Sequence, residues 1–290
     1  MATERPLVVI VGPTASGKTG LAVQLAKKFA GEIISADSRT IYRGMDIGTA
    51  KPTNREMDGV PHHLLDLIDP DEKFSLWNFQ QLAKERVYEI RQRGKIPFLV
   101  GGSGLYVDSI IFDYKMTPQS VDDNRRQKFQ EMTVDDLIMM IKKQHMEIPD
   151  NYKNKRYLIR ALEQGQINRE RLSQPIENII IVGITTDRET LETRIRLRIE
   201  SMLAAGLMDE VSNLVATYGD QQVFHSNAYG EVHKFLRGEI TSQDELIDRI
   251  VTVDRQLAKK QLTWFKRNRY IKWLPLDESY DYIVDTLHRI

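Results

Sequence analysis

The residues with the clearest chemical meaning are Gly12-Pro-Thr-Ala-Ser-Gly-Lys-Thr19, which follow the apolar run Leu7–Val11. They have the spacing of a Walker A phosphate-binding loop, placed between a buried strand and a helix that begins near Lys18. Backbone N–H groups of such a turn and the positive end of the helix dipole converge on an anion. Lys18 adds a point charge, and the Thr19 hydroxyl is placed to ligate Mg²⁺. The residues expected around the phosphate are Gly12, Thr14, Ala15, Ser16, Gly17, Lys18 and Thr19.

A carboxylate is expected beside this phosphate site. Asp37 follows the predicted strand Glu32–Ala36, and ligands of open α/β sheets bind outside the carboxyl ends of the strands. A carboxylate near a phosphate is electrostatically costly unless it holds a metal, orients a substrate or accepts a proton. The alternative is that Asp37 is the N-cap of the next helix.

Glycines and a hydroxyl follow another predicted strand. Gly101-Gly-Ser-Gly104 comes directly after Pro97–Val100, and glycines allow close backbone approach. Ser103 would present its hydroxyl toward the same crevice. A Gly-Gly-x-Gly string is most often a turn, and its position beside the Walker loop makes it a candidate site.

Two histidines and an aspartate are weaker candidates. His62 and His63 are adjacent rather than four residues apart, so one face of an element cannot present both to a metal. Hydrogen-bonding roles are expected for both. Asp66 lies within an apolar run instead of at its end, which disfavours a metal-binding role of the Walker B kind.

Two arginines lie four residues apart, beside the apolar stripe Leu191, Ile195, Ile199 and Met202 of a helix predicted from Thr190 onward. Arginine fits phosphate geometry bidentately, so Arg194 and Arg198 are candidates for clamping a leaving phosphate group. The alternative is a solvated helix edge on which they pair with Glu192 and Glu200.

The segment 255–272 holds seven basic residues and no acidic one, with Trp264, Phe265 and Tyr270 interleaved. Basic and aromatic residues in this arrangement favour nucleic-acid binding. A solvated charged face is the alternative. Trp264 also has two interpretations, as an anchor of the last helix in the core or as a stacking platform for RNA.

Alternating strands and helices must position these residues. The predicted strands are Leu7–Val11, Glu32–Ala36, Leu64–Ile68, Pro97–Val100, Ile179–Ile184 and, at an edge, Tyr270–Leu276. Helical spacing occurs between Phe79 and Ile90. The alternation predicts an α/β fold with a parallel sheet flanked by helices. Residues 115–177 lack a strong strand and are expected to form a helical insertion between core segments 1–114 and 178–290.

Composition restricts the class of protein. The 290 residues are 41% hydrophobic and 28% charged, as in soluble globular proteins. The 41 basic and 41 acidic residues give a formal net charge of zero, so a polyanion must meet a local basic patch.

The absence of cysteine excludes disulfides and thiol nucleophiles and is compatible with a reducing cytoplasm. No apolar run approaches the ~20 residues of a membrane span, and strand 1 leaves no room for a signal peptide.

Several strings of residues coincide with those of one family. In chain order they are residues 12–19, 37–52, 59–66, 101–106, 160–163, 202–211 and 260–266. Together they cover essentially the whole chain, and it resembles the tRNA dimethylallyltransferase family of the bacterial type. The run Asp37-Ser-Arg-Thr-Ile-Tyr-Arg-Gly-Met-Asp-Ile-Gly-Thr-Ala-Lys-Pro52 is the most specific of the strings.

The resemblance implies a P-loop NTPase-like core and a monomeric, cytoplasmic enzyme. It would transfer a dimethylallyl group from dimethylallyl diphosphate to the exocyclic amine of the adenine just 3′ of the tRNA anticodon. It further implies that Asp37 accepts the amine proton and that Ser103 assists near the reacting centre. Arg198 would clamp the diphosphate, and Thr19 would help to hold Mg²⁺ at it. Residues matching tRNA-contact segments are Asp37, Ser38, Arg39, Thr40, Arg156, Arg160, Tyr229, Lys259, Lys260, Gln261, Thr263, Trp264 and Lys266.

Three positions depart from the family pattern. Thr40 stands where a glutamine is frequent, and Ser103 replaces the usual threonine but keeps the hydroxyl. Ala228-Tyr-Gly-Glu231 stands where the family has Gly-Tyr-Lys-Glu, which removes a basic residue and moves the glycine. The first and third departures affect contacts expected with tRNA.

Three other functions remain open from the residues alone. A small-molecule or nucleotide kinase would share the Walker loop but gives no reason for the basic, aromatic segment 255–272. A prenyltransferase acting on free adenine nucleotides would need neither that segment nor the insertion. An RNA-binding module with a relic phosphate loop would bind RNA without turnover.

Overall fold

A parallel sheet organises the larger of two units in the computed structural model, which describes residues 5–116, 123–164 and 170–290. The first unit comprises Met1–Ile111 and Pro175–Ile290, and the second comprises Phe112–Gln174. Within the described residues the strands are β1 (Leu7–Val11), β2 (Glu32–Ser35), β3 (His62–His63), β4 (Pro97–Gly101), β5 (Ile179–Thr185) and β6 (Lys272–Pro275). Their order in the sheet is β3-β2-β4-β1-β5-β6.

All neighbouring strands of this sheet run parallel. β1 lies between β4 and β5, with Val9 opposite both Leu99 and Ile181. Every residue of β1 and β4 is buried, as expected for central strands covered on both faces. The carboxyl ends of β1, β2 and β4 therefore meet at one edge of the sheet.

Helices cover the sheet and extend the first unit. They are α1 (Lys18–Lys28), α2 (Asn54–Met57), α3 (Leu76–Gln92) and α4 (Gly104–Ile111) before the second unit. In the second unit they are α5 (Asp123–Glu131), α6 (Val134–Lys143) and α7 (Lys155–Gln164). The rest are α8 (Arg188–Ala204), α9 (Leu207–Tyr218), α10 (Asn227–Leu236), α11 (Gln243–Phe265) and α12 (Leu276–His288), with a 3-10 helix at Gln222–His225. None of the described helices has both the length and the apolarity to cross a membrane.

Two hydrophobic clusters among the described residues hold much of the first unit together. One is built from the sheet with α1 and α12, and includes Leu25, Phe98 and Ile283. The other is built from α8 to α11, and Met45 of the loop after β2 is fully buried in it. Because Met45 anchors that loop, the residues between Asp37 and Thr49 are held between the sheet edge and the helical core.

The second unit is a small helical cluster. Leu137 and Ile141 of α6 pack with Leu158 and Leu162 of α7, and Phe129 of α5 joins them. Thr133 caps α6, because its hydroxyl oxygen accepts from the backbone N–H of Asp136. The Asp136 carboxylate in turn accepts from the backbone N–H of Thr133.

The predicted strand Leu64–Ile68 is wrong. Leu64 and Asp66 have positive φ angles of 64° and 52°, which a strand does not allow. The N–H groups of Leu67 and Ile68 donate to the carbonyl of Ile41 in the loop after β2. The apolar run is thus used to hold that loop, and the strand beside β2 is the two-residue β3. The predicted edge strand is confirmed by β6.

Candidate active site

The loop after β1 has the geometry of an anion-binding turn. Gly17, with φ of 88°, is the N-cap of α1 and has no side chain to occupy the first-turn N–H groups. Ala15 also has a positive φ, 61°, which is uncommon for a residue with a side chain. The turn therefore presents backbone N–H groups and the positive end of α1 to an incoming anion.

Lys18 lies at the start of α1 and is folded over this loop. Its ammonium donates to the carbonyl of Pro13 at 3.0 Å. Burial lowers the pKa of Lys18 to about 8, with Arg198 lowering it further and Asp37 opposing the shift. A desolvated ammonium of this kind gains from a phosphate partner, which would add opposite charge to that of Asp37.

Asp37 stands at the end of β2 as expected, but it does not cap a helix. Its Oδ1 accepts from the N–H of Arg39 at 2.8 Å, and the next helix, α2, is capped by Thr53 instead. The carboxylate is held by a local turn of the Asx kind. The N-cap alternative is therefore wrong, and Asp37 is positioned on the wall of the crevice.

Ser103 joins the ends of β4 and β2. Its hydroxyl oxygen accepts from the N–H of Ser38 at 3.0 Å and lies 3.2 Å from the Ser38 hydroxyl. The Ser103 N–H in turn donates to the carbonyl of Ala36 at 3.1 Å. These contacts fix the backbone on both sides of Asp37.

Each glycine around Ser103 is required by a close neighbour. A Cβ on Gly101 would overlap the backbone of Ala36, which belongs to the adjacent strand end. A Cβ on Gly102 would overlap the amide of Gln261, and one on Gly104 would overlap the indole of Trp264. The string therefore serves to let α11 approach the sheet edge, which the turn interpretation alone did not predict.

Arg198 of α8 links the phosphate loop to α11. Its guanidinium donates to Thr14 Oγ1 at 2.6 Å and to Asp254 Oδ2 at 2.5 Å. Its Nε is buried and has no hydrogen-bond partner among the described residues. Burial raises the pKa of Asp254, and the bond from Arg198 opposes that shift. Arg198 is thus a cation held beside the loop with one donor left unused.

Asp254 is a site residue that sequence reasoning missed. The signal was present, because Asp254, Leu257 and Gln261 recur at helical spacing, and an acidic residue on an otherwise buried face of a helix needs a partner. Gln261 lies about two turns after Asp254, and its Oε1 accepts from the N–H of Thr14 at 2.8 Å. α11 therefore contributes a carboxylate and an amide to the phosphate loop.

These elements enclose a cavity of about 290 Å³. Of the residues predicted for the site, those lining it are Thr14, Lys18, Asp37, Ser38, Arg39, Ser103, Arg198, Tyr229 and Gln261. Lining residues that were not predicted are Gly48, Thr49, Met202, Asn227, Asp254 and Leu257. The cavity thus brings a carboxylate, a lysine and an arginine together at the carboxyl ends of the strands.

Other predicted residues lie outside the cavity lining. Thr19 and Arg194 are exposed, and Thr40 is buried with its hydroxyl 3.1 Å from that of Ser35. Arg156 and Arg160 lie on α7 of the second unit, where both are exposed.

Tyr229 is buried, and its hydroxyl donates to Glu210 at 2.5 Å. The same carboxylate accepts from the N–H groups of Asp46, Ile47 and Gly48. Glu210 therefore clamps the loop after β2 against α10. In the sequence Glu210 stands beside Asp209 in the first turn of α9 and belongs to the family string 202–211, but nothing there indicates its partners, so the structure identifies it as a positioning residue.

The basic segment continues along α11 and past its end. Lys259, Lys260, Lys266 and Arg267 are exposed and have no carboxylate partner in the described part of the chain. Arg267 lies over the Trp264 ring, 5.5 Å from its centroid.

Trp264 is half-buried against Gly104. Its Nε1 donates to Asp108 of α4 at 2.7 Å. This ring therefore helps to hold α11 on α4, while its neighbours on the helix present positive charge to solvent.

The chain matches two family models. The model described as IPP transferase matches residues 40–268. The model described as isopentenyl transferase matches residues 6–69.

Relatives and a solved structure resemble the whole chain. The tRNA dimethylallyltransferase of Bacillus cytotoxicus is 38% identical over 288 residues, which cover 94% of this chain and 91% of the relative. That of Bacillus subtilis strain 168 is 38% identical over 294 residues, covering 96% and 93%. The crystal structure of a tRNA isopentenylpyrophosphate transferase from Bacillus halodurans has a TM-score of 0.74 at 38% identity, covering 99% of this chain and 98% of that one.

Proposed function

Because the chain belongs to the IPP transferase family, we propose that it transfers a dimethylallyl group from dimethylallyl diphosphate to tRNA. The acceptor is the exocyclic amine of the adenine 3′-adjacent to the anticodon, and diphosphate is released. In this reaction the allylic carbon–oxygen bond breaks, a carbon–nitrogen bond forms, and the amine loses one proton.

The observation that supports this proposal most strongly is the convergence of Asp37, Lys18 and Arg198 on one cavity beside the phosphate loop. A leaving diphosphate needs positive charge and N–H donors, and an attacking amine needs a proton acceptor. The cavity offers both, at the ends of β1 and β2, which lie on either side of β4. No phosphoryl group moves, so the reaction requires no water-activating residue.

The leaving group would lie against the loop and the start of α1. Negative charge grows on the bridging oxygen as the allylic bond breaks, and preorganised donors stabilise such charge in a water-poor site. Lys18 and the unused Nε of Arg198 are the side-chain donors for it. Asp254 and Thr14 hold the Arg198 guanidinium in place.

The acceptor amine would approach from the β2 and β4 ends. Asp37 is the proton acceptor, and its Oδ1 is oriented by the N–H of Arg39. Ser103 supports the Asp37 segment through Ser38. An adenine must leave its stack to reach this cavity, as it does in enzymes that modify bases.

We further propose that Mg²⁺ assists the diphosphate. The donors around the cavity are hydroxyl and carboxylate oxygens, which are the ligands that Mg²⁺ prefers. Thr19, on the first turn of α1, would contribute its hydroxyl, and diphosphate oxygens would supply other ligands. When bound, the ion would neutralise charge on the leaving group.

The exposed cations of α11 support tRNA as the acceptor. A row of lysines and arginines without carboxylate partners is what a phosphate backbone requires. We assign tRNA contacts to this row, to Arg156 and Arg160 in a helical insertion at 115–177, and to Ser38, Arg39 and Thr263. The Thr40 hydroxyl and the Tyr229 hydroxyl already have partners within the protein, so adenine recognition depends on other residues of the cavity wall.

The proposal includes a monomer that acts in the cytoplasm. The absence of cysteine is compatible with a reducing compartment.

The direct test is to incubate the chain with dimethylallyl diphosphate, Mg²⁺ and unmodified tRNA and to analyse the nucleosides by mass spectrometry. Adenosine carrying one dimethylallyl group is expected, at the position 3′ of the anticodon. ATP replaces dimethylallyl diphosphate in the control. Phosphorylation of an acceptor in that control, with no prenylated adenosine in the main reaction, would overturn the proposal in favour of a kinase.

A further inference from the structure

A second group of chemically capable side chains lies away from the cavity lining. Asp220 follows α9, His225 ends the 3-10 helix, and His233 lies in α10. One ligand atom from each lies within 4.8 Å of the others. We propose that these three side chains form a binding site for a divalent transition-metal ion such as Zn²⁺.

The distances are close to those of a metal site. His225 Nε2 is 2.5 Å and His233 Nδ1 is 3.9 Å from Asp220 Oδ1. Ligand atoms around a tetrahedral zinc ion are roughly 3.3 Å apart, given bonds of about 2.0–2.1 Å. The two distances to Asp220 Oδ1 are thus one shorter and one longer than the distance between ligand atoms of a zinc ion. The side chains of Asp220 and His225 are half exposed, so they can adjust by about the ångström that the ion needs.

The chemistry of the donors selects the ion. Two imidazoles and one carboxylate suit Zn²⁺ and its neighbours, whereas Mg²⁺ prefers oxygen ligands alone. The two imidazole rings already lie nearly parallel, at 11° and 5.7 Å between centroids. The positive charge of Arg237 contributes to lowering the pKa of Asp220. The Arg237 guanidinium is itself paired with Glu239 at 3.2 Å.

The backbone holds His225 in position. A Cβ on Gly230 would lie 2.8 Å from the carbonyl carbon and oxygen of His225. Because Gly230 has no side chain, α10 can pack against the 3-10 helix. This packing brings His233 of α10 toward His225.

The site would brace one wall of the cavity. Val223 and Ser226, on either side of His225, accept hydrogen bonds from the two terminal nitrogens of Arg39. An ion bound to Asp220, His225 and His233 would cross-link α9, the 3-10 helix and α10 around these acceptors. We therefore expect a structural ion, independent of the diphosphate site.

The test uses the untagged chain after treatment with a chelator. Co²⁺ serves as the spectroscopic probe, because its visible absorption reports coordination by nitrogen, and Zn²⁺ is then used to displace it. One equivalent of Co²⁺ is expected to bind. His225→Gln and His233→Gln should each weaken binding at least ~10-fold, since even outer-shell changes cost 10–100-fold.

His288→Gln is the matched control, because it removes a histidine from α12, outside the three ligands, and should leave Co²⁺ binding unchanged. Zn²⁺ at 100 times its dissociation constant should raise the melting temperature by roughly 5 °C, and Mg²⁺ should not. Failure of the wild-type chain to take up Co²⁺, or identical titrations for wild type, His225→Gln and His233→Gln, would overturn the proposal. The titrations are run at low temperature, where a destabilised variant remains folded.

Discussion

Arg198 illustrates how a single side chain connects distant parts of the sequence. It bonds to Thr14 on one side and to Asp254 on the other, and its Nε has no partner within the described residues. A diphosphate oxygen would satisfy this Nε. Buried polar groups without partners are rare, and in a cavity they mark the place of a ligand.

Asp37→Asn should retain tRNA binding and lower the rate of transfer by roughly 10²–10⁴, because asparagine keeps the shape but cannot accept the proton. The measurement is a single-turnover rate at saturating substrates. Asp254→Asn provides a comparison, since it also removes a cavity carboxylate but one that faces Arg198. An unchanged rate in Asp37→Asn would show that Asp37 only orients the loop.

Arg198→Ala should lower the single-turnover rate by roughly 10²–10³, as the loss of one preorganised donor does at comparable sites. Arg196→Ala is the matched control, because Arg196 is exposed on the same helix and pairs with Asp248. The control should change the free energy of activation by less than about 1 kcal/mol. Equal kinetics for the two variants would contradict the assignment. Melting temperatures are measured alongside, since Asp254 loses its partner.

At the scale of elements, the ends of β1, β2 and β4 were predictable and the contacts between them were not. Leu7–Val11 followed directly from a continuous apolar run, and Asp37 and Ser103 followed from their position after strands. The run at residues 64–68 was assigned wrongly because a short apolar stretch has the same appearance in a strand and in a buried loop. Its hydrogen bonds to Ile41 are long-range contacts that no local pattern encodes.

A buried carboxylate at the start of β2 ties the far end of the sheet together. Glu32 accepts from Arg93, Lys95 and His63, at 2.7–3.2 Å. Burial raises the pKa of Glu32, but these hydrogen bonds outweigh it and lower the pKa to about 2, from an ordinary value of 4.5. The stabilisation is therefore complete above about pH 4.5 and is lost as the pH falls toward 2.

Glu32→Gln should lower the free energy of unfolding by roughly 1–3 kcal/mol at pH 7, because bonds to a charged group are lost. Denaturant unfolding at several pH values measures this. The difference between wild type and variant should shrink as the pH falls from about 4.5 toward 2. A difference that stays constant over this range would show that the carboxylate charge contributes nothing to stability.

At the scale of the whole molecule, a net charge of zero conceals an uneven distribution. The segment 255–272 concentrates seven cations, and all but Arg255, which pairs with Glu192, have no ion-pair partner among the described residues. The alternation of strands and helices and the family strings were enough to predict the fold, whereas the nucleic-acid surface stays a prediction. Asp254 and Glu210 were beyond that prediction, because their partners lie 56 and 162–164 residues away in the sequence.

The triple variant Lys260→Ala, Lys266→Ala, Arg267→Ala should weaken tRNA binding and reduce the magnitude of the slope of log K against log salt by roughly 2–3, if each cation meets one phosphate. Lys27→Ala is the control, because Lys27 is exposed but pairs with Asp58. Affinity for dimethylallyl diphosphate should stay unchanged in both. An unaltered salt slope in the triple variant would remove this segment from the interface.

We propose that the phosphate loop holds a departing diphosphate while carbon, not phosphorus, is attacked. Dimethylallyl diphosphate labelled with ¹⁸O at the oxygen that bridges C1 and phosphorus distinguishes the two bonds. The chain is supplied with this substrate and unmodified tRNA, and the products are analysed by mass spectrometry. We predict that all ¹⁸O appears in diphosphate and that diphosphate and prenylated adenosine form in equal amounts. Label in dimethylallyl alcohol, with the diphosphoryl group released as unlabelled diphosphate or carried by an acceptor, would contradict this.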